Sequence, residues 1–315
     1  MPQLVTEVFK RLRESINQVI VGQEQVIDQL FIALLAGGHV LLEGVPGTAK
    51  TLLVKTLAAL VGTEFGRIQL TPDMLPSDIL GNSVYDLNTK TFSLKKGPIF
   101  TSLLLADEIN RTPPKTQSAL LEAMEERQVT LDGKTEKLPE LFMVVATQNP
   151  IEFEGTYPLP EAQLDRFMLK ILITYPSEDS EKRMLHNWQD GLYDRQSHAL
   201  APVATRSEIL SCRQELRQIR VEQSLFDYLT ELVQKSRRLS DLQLGASPRA
   251  GLYWLAAAKA HAAIEGRDFV TPDNIKFVAQ PVLRHRLILT PEAELDGVTI
   301  AQLITNLLSQ VAVPR

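Results

Sequence analysis

The segment Gly44-Val45-Pro46-Gly47-Thr48-Ala49-Lys50-Thr51 carries the residue types needed to hold a chain of phosphates. Its glycines let backbone N–H groups close around anionic oxygens, and a helix beginning beside them adds its partial positive charge. Lys50 can reach β- and γ-phosphate oxygens, and the Thr51 hydroxyl is a ligand for Mg²⁺. The pattern is that of a phosphate-binding loop with one departure, Ala49 in place of the usual glycine. That position begins the helix, where alanine is expected to suit the backbone. A Gly/Pro-rich turn before a helix with an exposed lysine is the plainer alternative.

The second reactive pair is Asp107-Glu108, which ends the apolar run Ser102-Leu103-Leu104-Leu105-Ala106. A carboxylate at the C-terminal end of a strand holds Mg²⁺ directly or through water, and its neighbour can orient and deprotonate an attacking water. Two solvated acids in a turn would look the same in isolation. The loop upstream favours the chemical reading, because two independent parts of one nucleoside-triphosphate site then agree.

These groups need a scaffold, and short apolar runs supply one. Runs at 40–42, 65–70, 103–106, 142–146 and 167–173 are candidate buried strands, most of them separated by helical patterns or long connections. Such alternation predicts a parallel sheet covered on both faces, and ligands bind such sheets at the C-terminal ends of the strands. Residues 4–36 read as helices, from the spacing of Val5, Val8, Phe9 and Leu12 and of Val26, Ile27, Leu30, Phe31 and Leu34, with a loop at Val19-Ile20-Val21-Gly22-Gln23. After Tyr175-Pro176-Ser177 no convincing strand is found. Stretches 209–219, 225–239, 248–263 and 271–283 read as helices, the last opened by the cap and first-turn proline of Thr271-Pro272. The predicted organisation is an α/β nucleotide-binding domain over 1–175 and a smaller helical domain over 176–315.

Two stretches exceed a minimal nucleotide fold. One spans about 71–100, where Pro72, Pro76, Gly81, Asn82, Gly97 and Pro98 rule out one long helix and the alternation around Phe92 and Leu94 suggests a strand. The other spans about 127–139 and contains a predicted hairpin over 128–137, with Val129 and Leu131 alternating before an Asp132-Gly133 turn.

The composition is that of an ordinary globular protein: 315 residues, 44% hydrophobic and 23% charged, with a net charge of −5. That charge, with no long basic run, counts against a life spent on nucleic-acid phosphates. Cys212 is the only cysteine, so no disulfide forms within the chain, which fits a reducing compartment. It lies in a polar helical stretch with no motif around it and is expected to be structurally incidental. The first ten residues lack a secretory pattern, and no apolar run is long enough for membrane insertion. A cytoplasmic location is expected.

At Asp107-Glu108-Ile109-Asn110-Arg111-Thr112-Pro113-Pro114-Lys115, taken with the phosphate loop, the chain resembles the MoxR family of AAA+ ATPases. The likeness continues through Leu120-Leu121-Glu122-Ala123-Met124-Glu125-Glu126, Ala146-Thr147-Gln148-Asn149-Pro150 and Leu159-Pro160-Glu161-Ala162-Gln163-Leu164-Asp165-Arg166-Phe167. It ends at Gly245-Ala246-Ser247-Pro248-Arg249, so it covers nearly the whole chain. In that family alanine before the Walker A lysine is a common form.

The resemblance implies a P-loop AAA+ parallel sheet flanked by helices and followed by an all-helical lid. The 71–100 stretch would be an insertion in the family's helix 2, and the hairpin would precede sensor 1. It implies ATP and Mg²⁺ as cofactors, with Thr51 and Asp107 on the metal. Val21, Gly22 and Gln23 would lie near the adenine, and Gly44, Val45, Pro46, Gly47, Thr48, Ala49, Lys50, Thr51 and Leu52 around the phosphates. The implied catalytic set is Glu108, Asn149 as sensor 1, Arg166 as an arginine finger given to a neighbouring subunit, and Arg249 as sensor 2. Gln69 is placed to restrain Glu108 until a partner binds.

By the same resemblance the chain forms a homo-oligomeric ring, a hexamer, and acts as a chaperone-like remodelling factor. Its partners would be proteins with von Willebrand factor A domains, sometimes in metal-centre maturation. Asn149 could instead be a turn residue before Pro150, Arg166 a partner of Asp165 or a nearby acid, and Arg249 a surface cation. A nucleic-acid-directed motor would want a basic hairpin tip, whereas Asp132-Gly133-Lys134 and Asn88-Thr89-Lys90 are nearly neutral. A non-hydrolysing scaffold would not need Asp107, Glu108 and Arg166.

Overall fold

The computed structural model describes residues 2–86, 90–149, 155–191 and 200–314. Asn88, Thr89 and Pro150 lie outside them. Two amphipathic helices open the chain, α1 (Gln3–Asn17) and α2 (Glu24–Ala36), joined by the expected loop. The first strand, β1 (Val40–Gly44), leads through the phosphate loop into α3 (Lys50–Leu60) and then β2 (Phe65–Gln69).

The first addition follows as a one-turn helix α4 (Pro76–Leu80) and an antiparallel hairpin of β3 (Gly81–Asp86) and β4 (Thr91–Lys96). At its base Gly81 and Gly97 meet so closely that a Cβ on either would lie 2.6 Å or less from backbone of the other. The chain returns through β5 (Leu103–Asp107) and α5 (Pro114–Glu126) to a second hairpin, β6 (Gln128–Leu131) and β7 (Lys134–Lys137). Its Asp132-Gly133 turn has positive φ at both residues, 49° and 77°, the geometry that matches the twist of two-residue hairpins. Lys96 pairs with Glu136 at 3.5 Å, so the two hairpins touch. Then come β8 (Met143–Gln148), the short α6 (Glu161–Leu164) and β9 (Leu169–Ile173).

The five core strands form one parallel sheet in the order β2-β5-β8-β1-β9. All five apolar runs read from the sequence are these strands. Side chains alternate across the sheet as its pleat requires. Val40, Leu42, Leu103, Leu105, Met143 and Val145 enter a core shared with α1, α2, α3 and the later helices. Leu41, Leu104, Ala106, Val144 and Ala146 enter a smaller core with α5. The order of strands reverses at β1, so the loop leaving β1 sits at the switch point of an open α/β sheet.

After β9 the chain is mainly helical: α7 (Glu178–Gln189), α8 (Arg206–Gln218), α9 (Gln223–Ser236), α10 (Pro248–Ile264), α11 (Pro272–Leu283), α12 (Pro291–Leu295) and α13 (Ile300–Gln310). Thr271 caps α11 as expected, its hydroxyl accepting from Asn274 N–H. One expectation fails here, because this half does contain strands. A ribbon pairs β10 (Leu242–Leu244) with β11 (Ile288–Leu289), and segments of three and two residues are too short to show a period of two. Cys212 is not incidental in its placement: it is fully buried in the larger core, and burial pushes its thiol pKa up to about 12. No helix among the described residues is long and apolar enough to cross a membrane.

Position 49 also departs from expectation. Ala49 caps α3 with φ 60° and ψ 23°, in the left-handed region, where its Cβ crowds the following carbonyl. That conformation costs an L-residue about 1–2 kcal/mol and glycine almost nothing. Alanine is therefore tolerated at this cap, not suited to it. Ala49→Gly is expected to unfold in urea at the same midpoint as the wild type or a higher one, since relief of strain is partly offset by a more flexible unfolded chain. Ala49→Val is expected to lower the midpoint. The reverse order would show that the left-handed cap is not populated.

Candidate functional site

The phosphate loop is held closed by its own side chains. Thr48 donates from Oγ1 to the Val45 carbonyl at 2.9 Å, and Lys50 donates from Nζ to the carbonyls of Gly44 at 2.5 Å and Val45 at 2.9 Å. A Cβ on Gly44 would lie 2.6 Å from the Ile173 carbonyl, so glycine is what lets β9 pass beside the loop. A Cβ on Gly47 would meet nothing within 4 Å, which leaves the crown of the loop open to a ligand. Burial lowers the Lys50 pKa, while the charges of Asp107 and Glu108 raise it. The lysine thus feels both acids across the site.

Asp107 is buried at the C-terminal end of β5. Its Oδ1 accepts from the Thr147 hydroxyl at 2.7 Å, and its Oδ2 accepts from Arg67 Nη2 at 2.8 Å and Nε at 3.2 Å. Glu108 follows in a left-handed conformation, φ 58°. Its N–H donates to Thr147 Oγ1 at 2.9 Å, and its Oε2 accepts from Gln69 Nε2 at 2.7 Å and pairs with Arg111 at 3.2 Å. One hydroxyl on β8 therefore fixes both acids, accepting from the backbone of one and donating to the carboxylate of the other. The contact expected between Gln69 and Glu108 is present.

Arg67 and Thr147 were not singled out from the sequence as site residues. The signal for Arg67 was its register: Arg67 and Gln69 share one face of β2, and Gln69 lies opposite Asp107. Among the described residues no cluster of three or more His, Cys, Asp or Glu is arranged for a metal. Asp107 and Thr51 instead fit the sparse donor set that Mg²⁺ takes when phosphates and water complete its shell.

Asn149 is buried just past the end of β8, on the same edge as Gly44 and Asp107. The segment carrying Val21 and Gly22 is tied to this edge by Gln23, whose Nε2 donates to the Thr174 carbonyl at 3.0 Å. Gln23 and Gly22 line a cavity of about 510 Å³ with Leu172 and Arg284.

Arg166 and Arg249 lie elsewhere. Arg166 precedes β9 and so stands at the edge where the parallel strands begin. Its Nη1 pairs with Glu125 Oε2 at 3.1 Å, and Arg249, in the first turn of α10, is hydrogen-bonded to the other oxygen of the same carboxylate. Asp165 does not pair with Arg166. It accepts from Arg286 Nε at 2.6 Å and from the Ser247 hydroxyl at 2.9 Å. Arg286, almost wholly buried, also donates to the carbonyls of Asp165, Phe167, Met168 and Val282. The loop bearing Arg166 is thus clamped to the helical half on both sides. The structure gathers Lys50, Asp107, Glu108 and Asn149 on one edge of the sheet and brings Arg166 and Arg249 together at the other.

Comparison with known proteins agrees with this architecture. Residues 39–169 match the model of the ATPase family associated with various cellular activities, and residues 234–307 match an AAA lid domain. The uncharacterized protein YeaC of Bacillus subtilis (strain 168) is 47% identical over 304 residues, covering 96% of this chain and 93% of its own. Chaperone MoxR1 of Mycobacterium tuberculosis is 43% identical over 310 residues, covering 96% of this chain and 81% of its own. A crystal structure of a Cytophaga hutchinsonii protein superposes with a TM-score of 0.92 at 42% identity, covering 100% of this chain and 97% of that one. With a parallel sheet that carries its phosphate loop at the switch point, a helical lid clamped to it and relatives of this kind along its whole length, the chain belongs to the MoxR family of AAA+ ATPases.

Proposed function

We propose that this protein hydrolyses ATP with Mg²⁺ in a homo-oligomeric ring, and that it spends the cycle on remodelling or assembling partner proteins. The observation that carries the ring is the separation of the two halves of the site. Arg166 stands where β9 begins, and the phosphate loop leaves the opposite end of the neighbouring β1. A five-residue strand rises about 16 Å, so the guanidinium of one chain does not reach the phosphates held by the same chain. A neighbour's phosphates are the remaining target. Arg249 shares Glu125 with Arg166, which puts both cations on the face that would meet that neighbour.

Within one chain the residues divide the work. The loop amides and Lys50 would bind the phosphates, and Thr51 and Asp107 would hold Mg²⁺, which would supply positive charge to the transferring phosphoryl group. Glu108 is the base for the attacking water, and Asn149 orients that water or the γ-phosphate. In this arrangement Gln69 and Arg111 both engage Oε2 of Glu108. Arg67 likewise engages Oδ2 of Asp107 and would compete with a metal there. A relative named as a chaperone supports the assembly role, and the resemblance to the family supports client proteins with von Willebrand factor A domains.

Glu108→Gln is expected to bind ATP as the wild type does and to hydrolyse it about 10²–10⁴-fold more slowly, the range for loss of a positioned base. Lys50→Ala is expected to weaken nucleotide binding measured by calorimetry. Near-normal turnover in the first variant removes Glu108 from the mechanism, and unchanged affinity in the second removes the loop.

Action across an interface has its own signature. An Arg166→Ala chain keeps its own Lys50, Thr51, Asp107 and Glu108, and a Glu108→Gln chain keeps its own Arg166. Mixing the two inactive proteins is expected to restore part of the ATPase rate as subunits exchange, because some interfaces then hold every part. Such fingers are worth roughly 10³–10⁵ in rate in other P-loop systems, so even sparse complementation is measurable. A mixture that stays inactive while fluorescence transfer shows subunit exchange would overturn the trans assignment.

A further inference from the structure

At the edge of the sheet opposite the phosphate loop lies an open cavity of about 560 Å³, walled by the end of α2, the end of α5 and the helices α8 and α10. Arg127, Arg213, Arg217 and Lys259 line it, with Glu140 as the one acid. Among the described residues none of these four cations makes an ion pair within 4 Å.

Three of the cations are held by backbone carbonyls, Lys259 by the Arg217 carbonyl at 3.4 Å. Arg213 donates from Nε and Nη2 to the Leu34 carbonyl at 3.1 and 2.8 Å, and from Nη1 to the Glu140 carbonyl at 3.3 Å. Arg127 donates from Nη2 to the Gly37 carbonyl at 2.6 Å. Both guanidiniums converge on the spot where residue 37 would carry a side chain: a Cβ there would lie 3.5 Å from Arg127 Nη2 and 3.7 Å from Arg213 Cζ. Residue 37 is glycine with φ 73°, so that spot is open. Burial first, and the charge of Arg127 second, push the Arg213 pKa down to about 10. Burial also lowers the pKa of Lys259. A guanidinium has five donors in a planar fork, and backbone carbonyls leave at least two of them on each arginine for an oxyanion.

We infer that this cavity binds a small multivalent oxyanion, a phosphate ester or a polycarboxylate, at a site separate from the ATP-binding loop. Arg127 and Arg213 form its preset floor. Arg217 and Lys259, on the helical half, close on the anion from the other side. The core supplies Arg127 and the lid supplies the other three, so an anion seated here ties lid to core and favours one arrangement of the two halves. The volume falls within the range of small-molecule sites and the donors are of the kind that select oxyanions.

The test uses calorimetric titration of pyrophosphate and of citrate, in the presence of EDTA, into the full chain carrying Lys50→Ala, which weakens anion binding at the phosphate loop. The expected result is one site per chain with a dissociation constant in the micromolar to low-millimolar range. Adding Arg217→Gln and Lys259→Gln, the second of which also removes the bond from Lys259 Nζ to the Arg217 carbonyl at 3.4 Å, is expected to weaken that binding at least about tenfold, with an unchanged circular dichroism spectrum. The two probes separate the sources, since tighter pyrophosphate points to phosphate esters and tighter citrate to polycarboxylates. Absence of binding by both anions, or binding that ignores the two substitutions, overturns the inference. Residual binding at the phosphate loop would be recognised because ATP competes for it and the Arg217 and Lys259 substitutions leave it unaltered.

Discussion

Parallel pairing of five short strands makes every strand begin at one edge of the sheet and end at the other. The rest of this protein's chemistry is arranged by that polarity. Groups placed after a strand, such as Asp107, Asn149 and the phosphate loop, collect at the finishing edge. Groups placed before a strand, such as Arg166, collect at the starting edge. Burial on both faces keeps the central strands β5 and β8 almost wholly apolar, so most of the polar work falls to the ends of the strands and to the edge strand β2. A single chain therefore holds acids, lysine and loop at one end and its paired arginines at the other. The division that the proposed ring would exploit is already present in the hydrogen-bond pattern of one sheet.

The starting edge is also where the two halves of the chain are fastened. Arg286 leaves the helical half almost fully buried and spends its donors on Asp165 and on backbone carbonyls around β9. A buried guanidinium is costly to desolvate, and burial does lower its pKa, but the Asp165 carboxylate and the carbonyls offset that cost. Such a cluster contributes little net stability. Its value is geometric, since its donors fix how the lid meets β9. Ser247 on the same carboxylate and Glu125 between Arg166 and Arg249 extend the fastening between the arginine loop and the lid.

Much of this was legible in the residues alone. The apolar runs of the sheet, the Thr271 cap and the Asp132-Gly133 turn depend on neighbours a few positions away, and local pattern is what a sequence displays. The phosphate loop and the acidic pair were legible because each is a short contiguous string. What stayed hidden joins distant positions. Arg67 meets Asp107 only through the register of two strands 40 residues apart, and Asp165 meets Arg286 across 121 residues. The left-handed backbone at Ala49 and Glu108 depends on how a strand must turn into a loop, and residue type gives no hint of it at either position. The ribbon in the helical half pairs segments too short to carry any periodic signal.

The single cysteine turns packing into a clock. Cys212 lies on α8, sealed in the core that the first helices share with the lid, and its thiol pKa is pushed up to about 12. At neutral pH the thiol is then protonated, and its burial shields it from reagents. Alkylation of the native chain must wait for α8 to part from its neighbours. The labelling rate therefore counts openings of the junction between lid and core, with no engineered probe and no second thiol to confuse the count. Nucleotide, partner or any other ligand that tightens this junction would be read directly as slower chemistry at one sulfur atom.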